Sequence, residues 1–138
     1  MIKKIEVEEG RSVEFKASAF SPIQYNKLFQ GKDFMRDMAT MADKKQGMSD
    51  DELSLEAEDY EMFVRLAYLF AYQALSPTPR VSEEQKAFRE AYPDPWTWID
   101  TFNTFSIYTI LPEIVDLWYG GDANLVKAKN PVPAPPGK

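Results

Sequence analysis

Cysteine and histidine are both missing from this chain of 138 residues. Without cysteine there is no disulfide, no thiolate nucleophile and no cysteine-based zinc or iron–sulfur site, and nothing in the sequence indicates an oxidising compartment. Without histidine there is no histidine-containing catalytic triad and no imidazole metal ligand. These absences exclude most common hydrolytic enzymes and leave only carboxylate, lysine, tyrosine or hydroxyl chemistry.

Glycine-rich loops, long apolar runs and an excess of positive charge are also missing. The six glycines are scattered apart from the pair Gly120-Gly121, so no phosphate-binding loop is indicated. The longest apolar run, Leu66 to Leu75, is about half a membrane span. Sixteen Lys and Arg against 22 Asp and Glu give a net charge of −6, the wrong sign for binding phosphate backbones. We therefore predict a soluble, intracellular protein with neither nucleic acid nor membrane as a partner.

Carboxylates are the only catalytic residue type present in quantity, and they cluster at predicted helix starts. Glu56, Glu58, Asp59 and Glu61 form one such cluster. Acidic side chains at a helix N-terminus interact favourably with its dipole, which explains the cluster without any catalytic role. No spacing resembles a loop for a hard cation. The sequence predicts no catalytic residues, no metal and no cofactor, and an enzyme that uses carboxylates alone is the least favoured of the function classes.

The first 18 residues alternate between apolar and polar side chains on both sides of Gly10. This period of two around a glycine predicts an N-terminal β-hairpin over residues 1–18. Two strands alone are marginally stable in water. The hairpin must therefore lie on helices, on another strand or on a partner, which leaves self-association open.

Helical signals fill residues 21–119 and predict a mainly α domain of about five or six helices. Capping-box spacings begin at Ser21, Ser49 and Ser82, and Asp94-Pro95 has the pattern of another helix start. Pro112 lies inside the last apolar stripe, so we expect a kink or break there. The proline-rich residues 120–138 have almost nothing to bury and are predicted to be a disordered tail.

Two helical segments are more apolar than a single buried face requires. The segment from Leu55 to Leu75 is apolar all round in its second half, so that helix is either central or covered by another chain. Methionines and aromatic residues are enriched at interfaces, and methionine adapts to variable partners. Around Trp96 and Trp98 we expect the aromatic side chains to fill the core. The candidate partner-binding residues are Met35, Met38, Met41, Leu66, Leu69 and Phe70, with simple core filling as the alternative.

The order of several short motifs resembles the tail assembly chaperones of long-tailed phages and prophages of Gram-positive bacteria. The resemblance covers residues 1 to about 119. Its motifs are Ala17-Ser18-Ala19-Phe20-Ser21-Pro22, Leu28-Phe29-Gln30-Gly31-Lys32-Asp33, the aromatic helix from Tyr60 to Ala74, Trp98-Ile99-Asp100, and Leu111-Pro112-Glu113-Ile114 before Trp118.

This resemblance implies a non-enzymatic function in the cytoplasm of a bacterial host. Such chaperones bind the tape-measure protein, keep this long helical chain soluble, help tail-tube subunits polymerise around it, and are absent from the mature virion. In many members a programmed frameshift yields a longer product that recruits the major tail tube protein. Residues 120–138 lie where such an extension would begin, but they do not align with the family.

A second class of phage protein fits the acidic composition. A DNA mimic or other acidic inhibitor displays ordered carboxylates to a host nucleic-acid-binding protein. In this chain the acidic residues cluster near helix starts and are interspersed with Lys and Arg. That distribution favours the chaperone over the mimic, which stays as the alternative.

Overall fold

The computed structural model describes residues 2–46, 56–104 and 106–120 of the chain. This part contains a two-stranded hairpin followed by six helices, which confirms the predicted mainly α domain. The predicted helix start at Ser49 and the predicted tail lie outside the described residues. The elements are β1 (Ile2–Glu8), β2 (Arg11–Lys16), α1 (Ser21–Leu28), α2 (Phe34–Gln46), α3 (Ala57–Gln73), α4 (Glu83–Ala91), α5 (Pro95–Ile99) and α6 (Ser106–Tyr119).

The hairpin lies on the helices, with its apolar face in the core. Strands β1 and β2 pair antiparallel with Ile5 opposite Val13, and the register shifts between Glu6 and Glu8. Gly10 adopts a φ of +80°, a left-handed conformation that favours glycine in the turn. Strand β1 packs against α6 and β2 packs against α3. The buried side chains of this segment are Ile5, Val7, Phe15 and Ala17.

Helix α3 is central. It contacts β2 and each of the other five described helices. Every residue from Phe63 to Gln73 is buried, so the all-round apolar character of this half is explained by neighbours within the chain. The sequence left two alternatives for this helix, and the structure shows the central one.

Helices begin at all three predicted starts that lie within the described residues, but the predicted cap is confirmed only at Ser82 and Asp94 and is wrong at Ser21. Ser82 Oγ accepts a hydrogen bond from Gln85 N at 3.0 Å, and Asp94 Oδ1 accepts one from Thr97 N at 2.8 Å. Helix α1 has Phe20 at its N-cap and no side-chain cap. The Ser21 hydroxyl instead accepts from Ser18 N at 3.0 Å.

Helix α6 continues through Pro112, so of the two expected outcomes at Leu111, a kink or a break, the break does not occur. An internal proline costs a helix about 3 kcal/mol, while fully burying one large aliphatic side chain contributes about 1.5–3 kcal/mol. Five such side chains flank the proline in the core, and together they outweigh its cost. They are Ile110, Leu111, Ile114, Val115 and Leu117.

Candidate functional site

The structure corrects the sequence-based choice of partner-binding residues. Only Met35 is exposed, with 53% of its surface accessible. The other five side chains fill the core, because α2 packs on both α3 and α6 and because α3 is covered on all sides. They cannot form a docking surface on this fold. These five residues, all 0% exposed, are Met38, Met41, Leu66, Leu69 and Phe70.

An aromatic groove lies between the first turn of α3 and helix α5. We use this name for the depression lined by Tyr60, Trp96, Ile99 and Phe102, which has a volume of about 310 Å³. Tyr60 is 41% exposed and Trp96 is 45% exposed, contrary to the expectation that the aromatic residues near Trp96 are in the core. Large aromatic side chains exposed beside a depression are typical of protein-binding surfaces.

The orientation of Trp96 follows from how α5 begins. The Asp94 carboxylate accepts hydrogen bonds from both the backbone N and the hydroxyl of Thr97, at 2.8 and 2.9 Å, and these bonds lower the pKa of Asp94. The fixed first turn directs Trp98 into the core, where its ring lies 4.7 Å from that of Phe102 and 5.8 Å from that of Tyr68. Trp96, two positions earlier, is consequently directed away from the core.

The hairpin turn holds the other side of the groove. The Arg11 guanidinium lies 4.2 Å from the centre of the Phe102 ring and donates to the carbonyl oxygen of Thr101 at 2.8 Å. Glu8 Oε1 accepts a hydrogen bond from Asn103 N at 2.7 Å. Contacts between residues 90 and 95 positions apart in sequence therefore fix this side of the groove.

The chemistry of the aromatic groove suits an apolar ligand with a basic flank. Its polar lining includes the exposed Asp100 carboxylate. Aromatic rings provide contact area at small conformational cost, and a rim carboxylate adds orientation and long-range attraction. Within residues 2–46, 56–104 and 106–120, no three acidic side chains are placed to hold a metal ion.

Met35, the one exposed residue of the predicted set, lines a second depression. This depression lies between α1 and α2, next to Pro22 and Lys32, and has a volume of about 390 Å³. It is the more open of the two, and the only aromatic residue in its lining, Phe34, is buried. The aromatic groove is therefore the better candidate for binding a partner.

A buried polar cluster joins α1, α2 and α3, and the sequence analysis missed it. The Tyr25 hydroxyl donates to Asp37 Oδ2 at 2.6 Å and accepts from Arg65 Nε at 3.2 Å. Burial, the largest cause, and the bond to Asp37 raise the pKa of Tyr25 far above its ordinary value. The sequence signal that could have revealed this cluster is the pair of opposite charges, Asp37 and Arg65, on the apolar faces of two helices. Because all three side chains are at least 90% buried, this cluster fixes the helices and does not contact a partner.

No helix in the described part of the chain is both long and apolar enough to cross a membrane. Comparison with protein-family models, with curated proteins and with solved structures found no match to this chain.

Proposed function

We propose that this chain is a tail assembly chaperone of a long-tailed phage or prophage. In this function it binds the tape-measure protein in the host cytoplasm, keeps it soluble and helps tail-tube subunits polymerise around it. A longer frameshifted product would add contact with the major tail tube protein, and the chaperone would leave before the virion is complete. Binding by surface complementarity, without catalysis, is the activity required.

The aromatic groove is the observation that carries this proposal. A long helical client presents stripes of apolar side chains, and a groove of exposed aromatic residues binds such stripes as an amphipathic helix in a groove. Tyr60 and Trp96 are the exposed anchors, while Ile99 and Phe102 line the groove between them. Repeated weak contacts along one client chain give avidity even when each contact is weak.

The motifs that resemble the chaperone family also have defined positions in this fold. In the Ala-Ser-Ala-Phe-Ser-Pro motif, Ser21 Oγ donates to Gln73 Oε1 of α3 at 2.6 Å. In the Leu-Pro-Glu-Ile motif, Leu111 and Ile114 are buried and Glu113 pairs with Lys3 of the hairpin. These segments attach α1 and α6 to the rest of the domain.

Purified tape-measure segments test the proposal by titration against the wild-type chain and the variant Trp96→Glu. Loss of an aromatic anchor typically costs an interface more than about 2 kcal/mol, so we expect binding at least about 30-fold weaker. Co-expression with the whole tape-measure protein should raise its soluble yield with the wild type and much less with the variant.

Val81→Glu is the matched control. Val81 is an exposed apolar residue, 57% accessible, in the segment that precedes α4. Its substitution adds the same charge outside the groove and should leave binding unchanged. If neither chain binds the tape-measure protein, and the wild type instead binds a host nucleic-acid-binding protein in a strongly salt-dependent way, the acidic mimic replaces the chaperone.

A further inference from the structure

The outer edge of β1 has no strand beside it in the part of the chain that the structure describes. The hairpin forms a two-stranded sheet, so β1 pairs only with β2. None of the backbone hydrogen bonds that link different elements of the described residues involves residues 2–8. Every second backbone N–H and C=O along this edge therefore points away from β2 and is available to another strand.

The charged residues of β1 divide into two that bond to other parts of the chain and two that form no such bond, although Lys4 lies opposite Glu14 in β2. Lys3 forms an ion pair with Glu113 of α6, and Glu8 accepts a hydrogen bond from Asn103 N. Lys4 and Glu6 are both exposed, and the described residues offer neither of them a hydrogen bond or an ion pair. Both lie on the solvent face of the strand, since Ile5 and Val7 face the core.

We propose that β1 pairs antiparallel with β1 of a second copy of this chain. The two-fold axis passes through Ile5, so that Lys4 of each copy lies opposite Glu6 of the other. The result is a four-stranded sheet across the dimer, with two ion pairs on its solvent face. Opposite charges placed directly across two strands stabilise their pairing, whereas like charges oppose it.

Charge selects this register against its neighbours. Residues directly opposite each other in an antiparallel strand pair have their side chains on the same face of the sheet. An even-numbered residue of one β1 can therefore face only an even-numbered residue of the other. An axis through Lys4 would place Lys4 opposite its own copy, and an axis through Glu6 would place two glutamates together. The axis through Glu6 would also place Lys4 opposite Glu8, but Glu8 is already bonded to Asn103 N, and only the axis through Ile5 pairs opposite charges without a like-charge pair at its centre. Charged side chains usually protect a strand edge from association, but this arrangement permits one specific partner.

Sedimentation velocity of the full chain over a range of concentrations tests the proposal with three variants. Glu6→Lys replaces both attractive pairs by repulsive ones and should weaken dimerisation about tenfold or more. It is the safest single change because Glu6 faces the uncharged Ser12 within its own hairpin. The charge swap Lys4→Glu with Glu6→Lys re-creates both pairs and should restore the dimer; it also carries Glu14→Lys, because Lys4 faces Glu14 within its own hairpin and that pair must stay attractive. Glu90→Lys, on the exposed side of α4, has the same charge change as Glu6→Lys and should leave dimerisation unchanged.

Far-ultraviolet circular dichroism of every variant verifies the fold. Dimerisation that Glu6→Lys weakens and the charge swap restores supports the proposal. A wild-type chain that stays monomeric up to about 1 mM, where even weak transient interfaces associate, overturns it. The proposal is also overturned if Glu6→Lys leaves the dimerisation constant unchanged, or if the charge swap does not restore dimerisation. In either case the chains associate through another surface.

Discussion

Met35 and Met38 show how far two residues of one type can differ within a single turn of α2. Met35 is 53% exposed and Met38 is fully buried. They lie three positions apart, yet Met38 is on the face that packs against α3 and α6 while Met35 lies beside the open depression near Pro22. The adaptable thioether therefore fills the core at one position and contacts solvent at the other.

Replacing each methionine by alanine should separate these two environments. Met38→Ala leaves a cavity in the core and should lower the free energy of unfolding by about 2–5 kcal/mol. Met35→Ala should change it by no more than about 0.5 kcal/mol, and the gain in helix propensity is the same for both. Urea denaturation of the two variants makes the comparison. Equal losses of stability would mean that Met38 is not in the core.

Helix α6 is the element in which backbone preference and burial conflict. Pro112 has no N–H to donate to the carbonyl four residues earlier, and its ring crowds the preceding turn. The helix nevertheless spans Ser106–Tyr119, because its apolar stripe packs against β1, α2 and α3. Tertiary contacts therefore maintain a helix that its own sequence weakens.

Pro112→Ala should therefore stabilise the domain. Alanine restores the N–H and removes the steric conflict, and both effects stabilise the helix. Two smaller effects oppose them, because the contacts of the half-buried ring are lost and the unfolded chain becomes more flexible. We expect a net gain of about 1–2 kcal/mol in urea denaturation. Pro77→Ala is the control, because Pro77 lies in the exposed segment after α3, where proline restricts only the unfolded chain. This variant should lower the free energy of unfolding by about 0.4–1 kcal/mol. A loss of stability in Pro112→Ala would contradict this account of α6.

Helix starts show which elements can be predicted from sequence and which cannot. Ser82 and Asp94 cap residues three positions away, so the local spacing contains all the information needed. Ser21 has the same local spacing, but its hydroxyl donates to Gln73, 52 positions along the chain. The sequence does not show that such a distant acceptor will be nearby. A second contact does not by itself prevent capping, because Ser82 Oγ donates to the carbonyl oxygen of Leu75 while it accepts from Gln85 N; at Ser21 the hydroxyl accepts from Ser18 N instead.

At the scale of the whole molecule, periodicity predicted the fold class and much of the core but not the candidate site. An apolar stripe shows which face of a helix avoids water, but it does not show which element covers that face. Leu66 and Phe70 of α3 are covered within the chain, whereas Tyr60 and Trp96 are left at the surface beside α5. The aromatic groove depends on contacts such as that of Arg11 with Phe102, which no local pattern indicates.

A continuous core predicts that the hairpin and the helices unfold together. Phe15 of β2 is fully buried in the same apolar cluster as Trp98 of α5 and Ile114 of α6. Phe15→Ala should lower the free energy of unfolding by about 3–5 kcal/mol. Because the structure is one cooperative unit, the unfolding midpoint should shift by the same amount whether it is followed by tryptophan fluorescence from α5 and α6 or by helical circular dichroism. Ile2→Ala, at a position 57% exposed at the start of β1, should leave both transitions within about 0.5 kcal/mol of wild type. Two separate transitions in Phe15→Ala would show instead that the hairpin is a detachable unit on an independently stable helical domain.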